Sequence, residues 1–187
     1  PWLFLSLLLS AELSAVPGEL NQWNYHSKRD LMGDRLYLHA SGSGRCTHRI
    51  STEKTPRNQP VLQVTIDQAP QNRAPYGVQL VYICRKPLTL GRSYRLRFQY
   101  KGTHAGEIGA TVAQVEAPFR PITRSADTVL NVTNQWQSCE LDFTTTFVDG
   151  RDFATPRLTL GSYPAGGTLY VGPVTLEELP GHRPLRL

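Results

Sequence analysis

Along residues 94–100, Tyr94-Arg95-Leu96-Arg97-Phe98-Gln99-Tyr100, apolar and polar side chains alternate at every position. Successive side chains on a strand point to opposite faces. Tyr94, Leu96, Phe98 and Tyr100 therefore share one face, and Arg95, Arg97, Gln99 and Lys101 share the other. Residues 77–83 read as a second strand, and Pro87 and Gly91 punctuate the link between the two. A strand, a short connection and a second strand with one buried face predict an antiparallel β protein.

The same pattern continues along the chain. Strands are expected at 21–27, at 60–67 with Leu62, Val64 and Ile66 on one face, and at 107–115 and 127–132. Three more are expected at 136–145, with Cys139, Leu141 and Phe143 inward, at 157–161 and at 168–177. Residues 36–41 and 45–51 are expected to form a hairpin about Gly42-Ser43-Gly44, because glycine supplies the positive φ of a tight turn. The stretches 52–59, 68–75 and 116–125 read as loops. About ten short strands at this spacing, with no helical periodicity, predict an all-β chain folded as a two-sheet antiparallel β-sandwich.

Composition agrees. The chain has 187 residues, enough for one domain with a leader or tail, and 40% are apolar, enough to bury a core. The net charge of +5 is spread over scattered arginines without a Lys/Arg block, which reads as a solvated basic surface and not a nucleic-acid footprint. The apolar run 2–9, followed by Ser10, Ala11, Ser14 and Ala15, resembles the core and cleavage zone of a secretory signal. Residues 1–15 are accordingly expected to be a leader, whole or lacking its start, with the end of a membrane anchor or an ordinary buried segment as the alternatives, and the protein to be secreted, periplasmic or extracellular. Residues 180–187 read as a tail. Three cysteines allow at most one disulfide. Their apolar or alternating surroundings favour buried free thiols, and the lack of a CxxC removes support for a zinc site.

In order, Trp23, the segment PVLQVTI, Tyr76-Gly77-Val78-Gln79-Leu80, LTLGRSYRLRFQYKG, Ala113-Gln114-Val115, Pro118-Phe119, Trp136-Gln137, LTLG and GTLYVGPVTL resemble the carbohydrate-binding modules of families four, nine and twenty-two. The resemblance covers about residues 20–179 and implies a galactose-binding-like jelly roll with a concave, ligand-binding sheet. In that family the closing strand carries an acidic residue that helps hold a structural calcium ion. Gly172 stands at that place, so no calcium or other cofactor is expected.

A sugar offers a patch of C–H groups to an aromatic ring and hydroxyls to amides, carboxylates or arginine. Tyr76 and Phe119, beside proline-rich loops, are the expected stacking rings. Trp23 and Tyr25 share a face of the first strand and serve either core or ligand. Gln79 and Gln114 lie in mid-strand as hydroxyl readers or solvated residues, and Arg97 and Gln99 either line the groove or meet water. The partner implied is a poly- or oligosaccharide, bound by a monomeric module with no nucleic acid and no membrane contact beyond an N-terminal anchor. Adhesion to a protein is the alternative, since one fold hosts many functions. A catalytic role finds little support: Glu107, Glu116, Glu140 and Asp142 show no paired-carboxylate pattern, and GxSxG is absent.

Overall fold

The structure, a computed structural model, describes residues 19–31, 33, 35–114, 121–122, 128–146 and 154–180. The expected leader, Phe119, Glu116 and residues 181–187 lie outside the described residues. The strands among the described residues are β1 (Glu19–Trp23), β2 (Leu36–Ala40), β3 (Arg45–Lys54), β4 (Pro60–Gln68), β5 (Val78–Tyr82), β6 (Ser93–Gly102), β7 (Gly106–Gln114), β8 (Thr128–Val132), β9 (Gln137–Thr144), β10 (Ala154–Thr159), β11 (Thr168–Val171) and β12 (Val174–Glu178). No helix among them is long and apolar enough to cross a membrane.

The strands form two antiparallel sheets, as the alternation predicts. One has seven strands in the order β1-β12-β6-β11-β4-β3, with β9 on the free edge of β6. The other has five, in the order β2-β5-β10-β7-β8. One of the two is strongly curled. Leu62, Val64, Ile66, Leu96, Phe98 and Leu176 of the larger sheet and Val78, Leu80, Ile108, Val112 and Leu158 of the smaller belong to a single buried cluster. Sheet faces sacrifice hydration of these side chains to one another, which is the main favourable term in joining two layers.

Three connections differ from the sequence reading. Residues 36–41 and 45–51 do not pair as a hairpin: β2 pairs β5, and β3 pairs β4. Gly42–Gly44 instead carries the chain from one sheet to the other, and each strand finds a partner whose apolar face already looks inward. For the same reason β5 and β6 lie in different sheets, although each has the alternation expected of it. The last expected strand is divided into β11 and β12, both on one edge of β6, by Gly172 and Pro173. The Gly172 amide still donates to the Gln99 carbonyl at 2.8 Å, so the edge of β6 stays paired through the break. A Cβ at Gly172 would lie 2.8 Å from Cγ2 of Thr55. The position that is acidic in the resembled family is therefore closely packed.

Cys46, Cys84 and Cys139 are free thiols, the last two buried. Burial pushes the Cys84 thiol up to about 12 and the Cys139 thiol up to about 11, so both stay protonated near neutrality.

Candidate functional site

The outer face of the five-stranded sheet holds a hollow of about 400 Å3. Strand register explains its floor. Tyr37 of β2 stands opposite Val81 of β5, Val81 opposite Arg157 of β10, and Arg157 opposite Thr111 of β7. The next row along runs His39, Gln79, Thr159, Gly109. The alternation that sends Leu36, Leu80, Leu158 and Ile108 into the core turns these residues outward. Gly109, Thr111 and Ala113 put small groups on the β7 side, while Tyr37 and Tyr76 put rings on the opposite side.

Tyr76 is 52% exposed and lines the hollow from the short turn that precedes β5. That turn is seated by close backbone approach. Gly161 donates its amide to the Pro75 carbonyl at 2.9 Å, and a Cβ there would fall 1.9 Å from the Ala74 oxygen. Gln79 Nε2 donates to the Tyr76 carbonyl at 2.9 Å, tying the amide to the turn that carries the ring. Its Oε1 is buried and has no hydrogen-bond partner, and the same holds for Thr111 Oγ1. Two polar atoms on one floor are thus buried without an internal partner, and each calls for a partner from outside the fold. Arg157 is buried at the floor, where Nε donates to Thr155 Oγ1 at 3.1 Å and Nη2 donates to the Gln114 carbonyl.

Of the residues singled out in the sequence, Tyr76 and Gln79 meet in this hollow. The other described ones, Trp23, Tyr25, Gln114, Arg97 and Gln99, are placed elsewhere. Trp23 is 3% exposed, packs edge to face on Tyr82 and donates its Nε1 to the Ile83 carbonyl at 3.2 Å. Tyr25 is buried with its hydroxyl on that of Tyr82. Both rings are core: the β1–β12 pairing in the seven-stranded sheet directs Trp23 between the layers, and the segment after β1 carries Tyr25 in beside Tyr82. A ring enclosed on all sides offers no face to a sugar, which corrects the binding alternative for these two residues. Gln114 shares the parity of Ile108, Ala110 and Val112 and is buried at the end of β7, so its side chain does not line the hollow. Arg97 and Gln99 lie on the outer face of the seven-stranded sheet, away from Tyr76 and Gln79.

Sequence reasoning passed over Tyr37, His39, Thr111 and Arg157. The signal was present for two of them: in Leu36-Tyr37-Leu38-His39 the alternation already separates apolar from outward residues. Arg157 and Thr111 join the site only through the β10–β7 pairing, which connects residues far apart in the chain.

Glu140 and Asp142, weighed as catalytic carboxylates, sit on the seven-stranded sheet in ion pairs. Arg95 reaches Asp142 at 2.5 Å and Glu140 at 2.9 Å, and Arg97 reaches Glu140 at 3.1 Å. The hydrogen bond from Arg95 holds the Asp142 carboxyl below the usual carboxylate range.

No family model matches the sequence, and no curated protein matches it. Solved structures do share the fold. A structure described as CBM4 superposes with a TM-score of 0.64 at 18% identity, covering 78% of this chain and 88% of its own. The CBM22-1 xylan-binding domain of Xyn10C from Paenibacillus barcinonensis gives 0.63 at 9% identity, over 88% and 97%. The second N-terminal cellulose-binding domain of β-1,4-glucanase C from Cellulomonas fimi gives 0.59 at 18% identity, again over 88% and 97%. The jelly-roll sandwich expected from the sequence is therefore the fold of this chain.

Proposed function

We propose that this chain is a noncatalytic carbohydrate-binding module that holds a poly- or oligosaccharide in the hollow of its five-stranded sheet. The observation that carries the reading is the coincidence, in one hollow, of an exposed ring and unpartnered buried polar atoms: Tyr76 beside Gln79 Oε1 and Thr111 Oγ1. A sugar ring meets both needs at once. Its C–H face covers the tyrosine, a contact worth about 1–2 kcal/mol by buried apolar area. Its hydroxyls reach Gln79 and Thr111 once side-chain rotations bring Oε1 and Oγ1 into the hollow. Tyr37 of the neighbouring β2 offers a second ring on the same side of the hollow, and Phe119 is proposed as a further stacking residue. The fold likeness to xylan-binding and cellulose-binding domains supports the same reading.

Export from the cell is part of the same proposal, in keeping with the apolar run at 2–9. The test is retention on insoluble polysaccharides, with xylan, cellulose, mannan and mixed-linkage glucan as the panel. Retention on at least one, lost on Tyr76→Ala, supports the proposal. No retention across the panel, with no response to the matching soluble oligosaccharides in calorimetry, overturns it.

A further inference from the structure

We propose a second binding site, for a neutral hydroxyl-rich group such as the end of a sugar chain, on the outer face of the seven-stranded sheet. It lies on the other layer of the sandwich from Tyr76 and Gln79 and shares no residue with their hollow.

A hollow of about 390 Å3 opens there, within the size range of small-ligand sites. Its residues come from separate strands brought into line by register. Thr175 of β12 stands opposite Arg97 of β6, Arg97 opposite Glu140 of β9, and Gln99 opposite Ser138. The turn after β3 supplies Arg57 and Gln59 to the same hollow. That turn is built rather than slack: Thr55 Oγ1 accepts the Gln59 amide at 3.1 Å, the Asn58 amide donates to the Thr55 carbonyl at 2.8 Å, and Asn58 takes a φ of 58°.

Gln99 is the observation that points to a ligand. Its Oε1 is buried and lacks a hydrogen-bond partner, although the residue lines the hollow. An amide oxygen shut away from water costs stability unless a donor reaches it. Rotation about the broad terminal torsion of the side chain would bring this oxygen to a ligand hydroxyl in the hollow, which is such a donor.

The charges decide the class of ligand. Arg97 is held from two sides, with Nε on Glu140 at 3.1 Å and Nη1 on Glu177 at 3.2 Å. The lining carries two arginines, Arg57 and Arg97, against two glutamates, Glu140 and Glu177. The four charges sum to zero, so neither an anion nor a cation gains net attraction from the lining. A neutral polyol needs none. It donates to Gln99 and to the spare lone pairs of the carboxylates, and accepts from Arg57, Ser138 and Thr175. Among the lining residues Phe98 is the one aromatic, and it is 4% exposed. This hollow therefore grips by hydrogen bonds alone, which suits a single terminal unit rather than a chain laid along rings.

The experiment is amide chemical-shift mapping on the 15N-labelled full chain. The probes are glucose, galactose, mannose, xylose, arabinose, cellobiose and xylobiose, with glucuronate and glucosamine as charged counterparts. At least one neutral sugar should shift the Gln99 side-chain amide and the backbone amides of Ser138 and Thr175 along one saturable curve. Gln99→Ala should weaken that curve roughly ten-fold, the scale of one lost hydrogen bond. Arg57→Ala, on an exposed turn, should weaken it with the melting temperature unchanged. Gln79→Ala should leave it intact, which separates failure of this site from failure of the other. No saturable shift at these amides with any neutral sugar, a response to the charged sugars only, or a curve that survives both Gln99→Ala and Arg57→Ala would overturn the proposal.

Discussion

The hydroxyls of Tyr25 and Tyr82 face each other across the core at 3.0 Å, each the partner of the other. Both residues are buried, and burial pushes both phenols above their usual range, so the pair stays neutral at physiological pH. Removing one hydroxyl strands the other. Tyr25→Phe or Tyr82→Phe alone should cost about 1–2 kcal/mol in urea unfolding, whereas the double variant should cost clearly less than the two losses summed. Strictly additive losses would show that the two hydroxyls do not depend on each other.

The separation of core from hollow gives a paired prediction. Tyr76→Ala should leave the melting temperature within a degree or two of the parent while weakening polysaccharide retention by about ten-fold, as expected for a lost ring contact. Trp23→Ala should do the reverse to stability, with a loss of about 3–5 kcal/mol from the cavity it opens. A large stability loss on Tyr76→Ala would place its ring in the core.

Thr111→Val tests the floor by an isosteric change. Oγ1 of Thr111 is buried without a partner, so replacing it with a methyl should leave stability unchanged or raise it. Binding should weaken, because the ligand loses a hydrogen bond. Calorimetry on the best-retained oligosaccharide, set beside thermal unfolding, reads both. A stability loss would mean that the hydroxyl serves the fold.

Gly161→Ala is expected to disturb the fold and the site together. The new Cβ would sit 1.9 Å from the Ala74 oxygen, which belongs to backbone and cannot swing aside. The turn carrying Tyr76 must lift, so both the melting temperature and sugar affinity should fall. Unchanged affinity in a destabilised but folded variant would show that the seat of this turn does not set the ring.

Asp142 adds a small acid-sensitive contribution. Its hydrogen bond from Arg95 depresses the folded-state ionisation below the unfolded value of about 3.9. The contribution is thus complete above that value and disappears as pH falls through the lower, folded one. The side chain is 48% exposed, so solvent and salt screen the pair strongly. Asp142→Asn should lower the melting temperature slightly at neutral pH and low salt, and the gap should close in strong acid or in about 1 M salt. A gap independent of both would assign the loss to packing.

What the sequence determined by itself was which side of each strand is wet. Tyr94, Leu96, Phe98 and Tyr100 turn inward and Arg95, Arg97 and Gln99 outward, because a strand reverses its side chains at every residue whatever its neighbour. From that periodicity the all-β class and the two-layer architecture followed, and so did an outward Gln79. Tyr76 was legible through the proline-rich loop before its strand. The partners of each strand were not legible: alternation is the same on either sheet, so nothing local told that β2 leaves β3 for β5, or that Trp23 and Tyr25 point between the layers. Only tertiary pairing put Arg157 beside Thr111 and set Arg97 and Gln99 on the opposite surface, since a site made of cross-strand rows exists only once distant segments are in register.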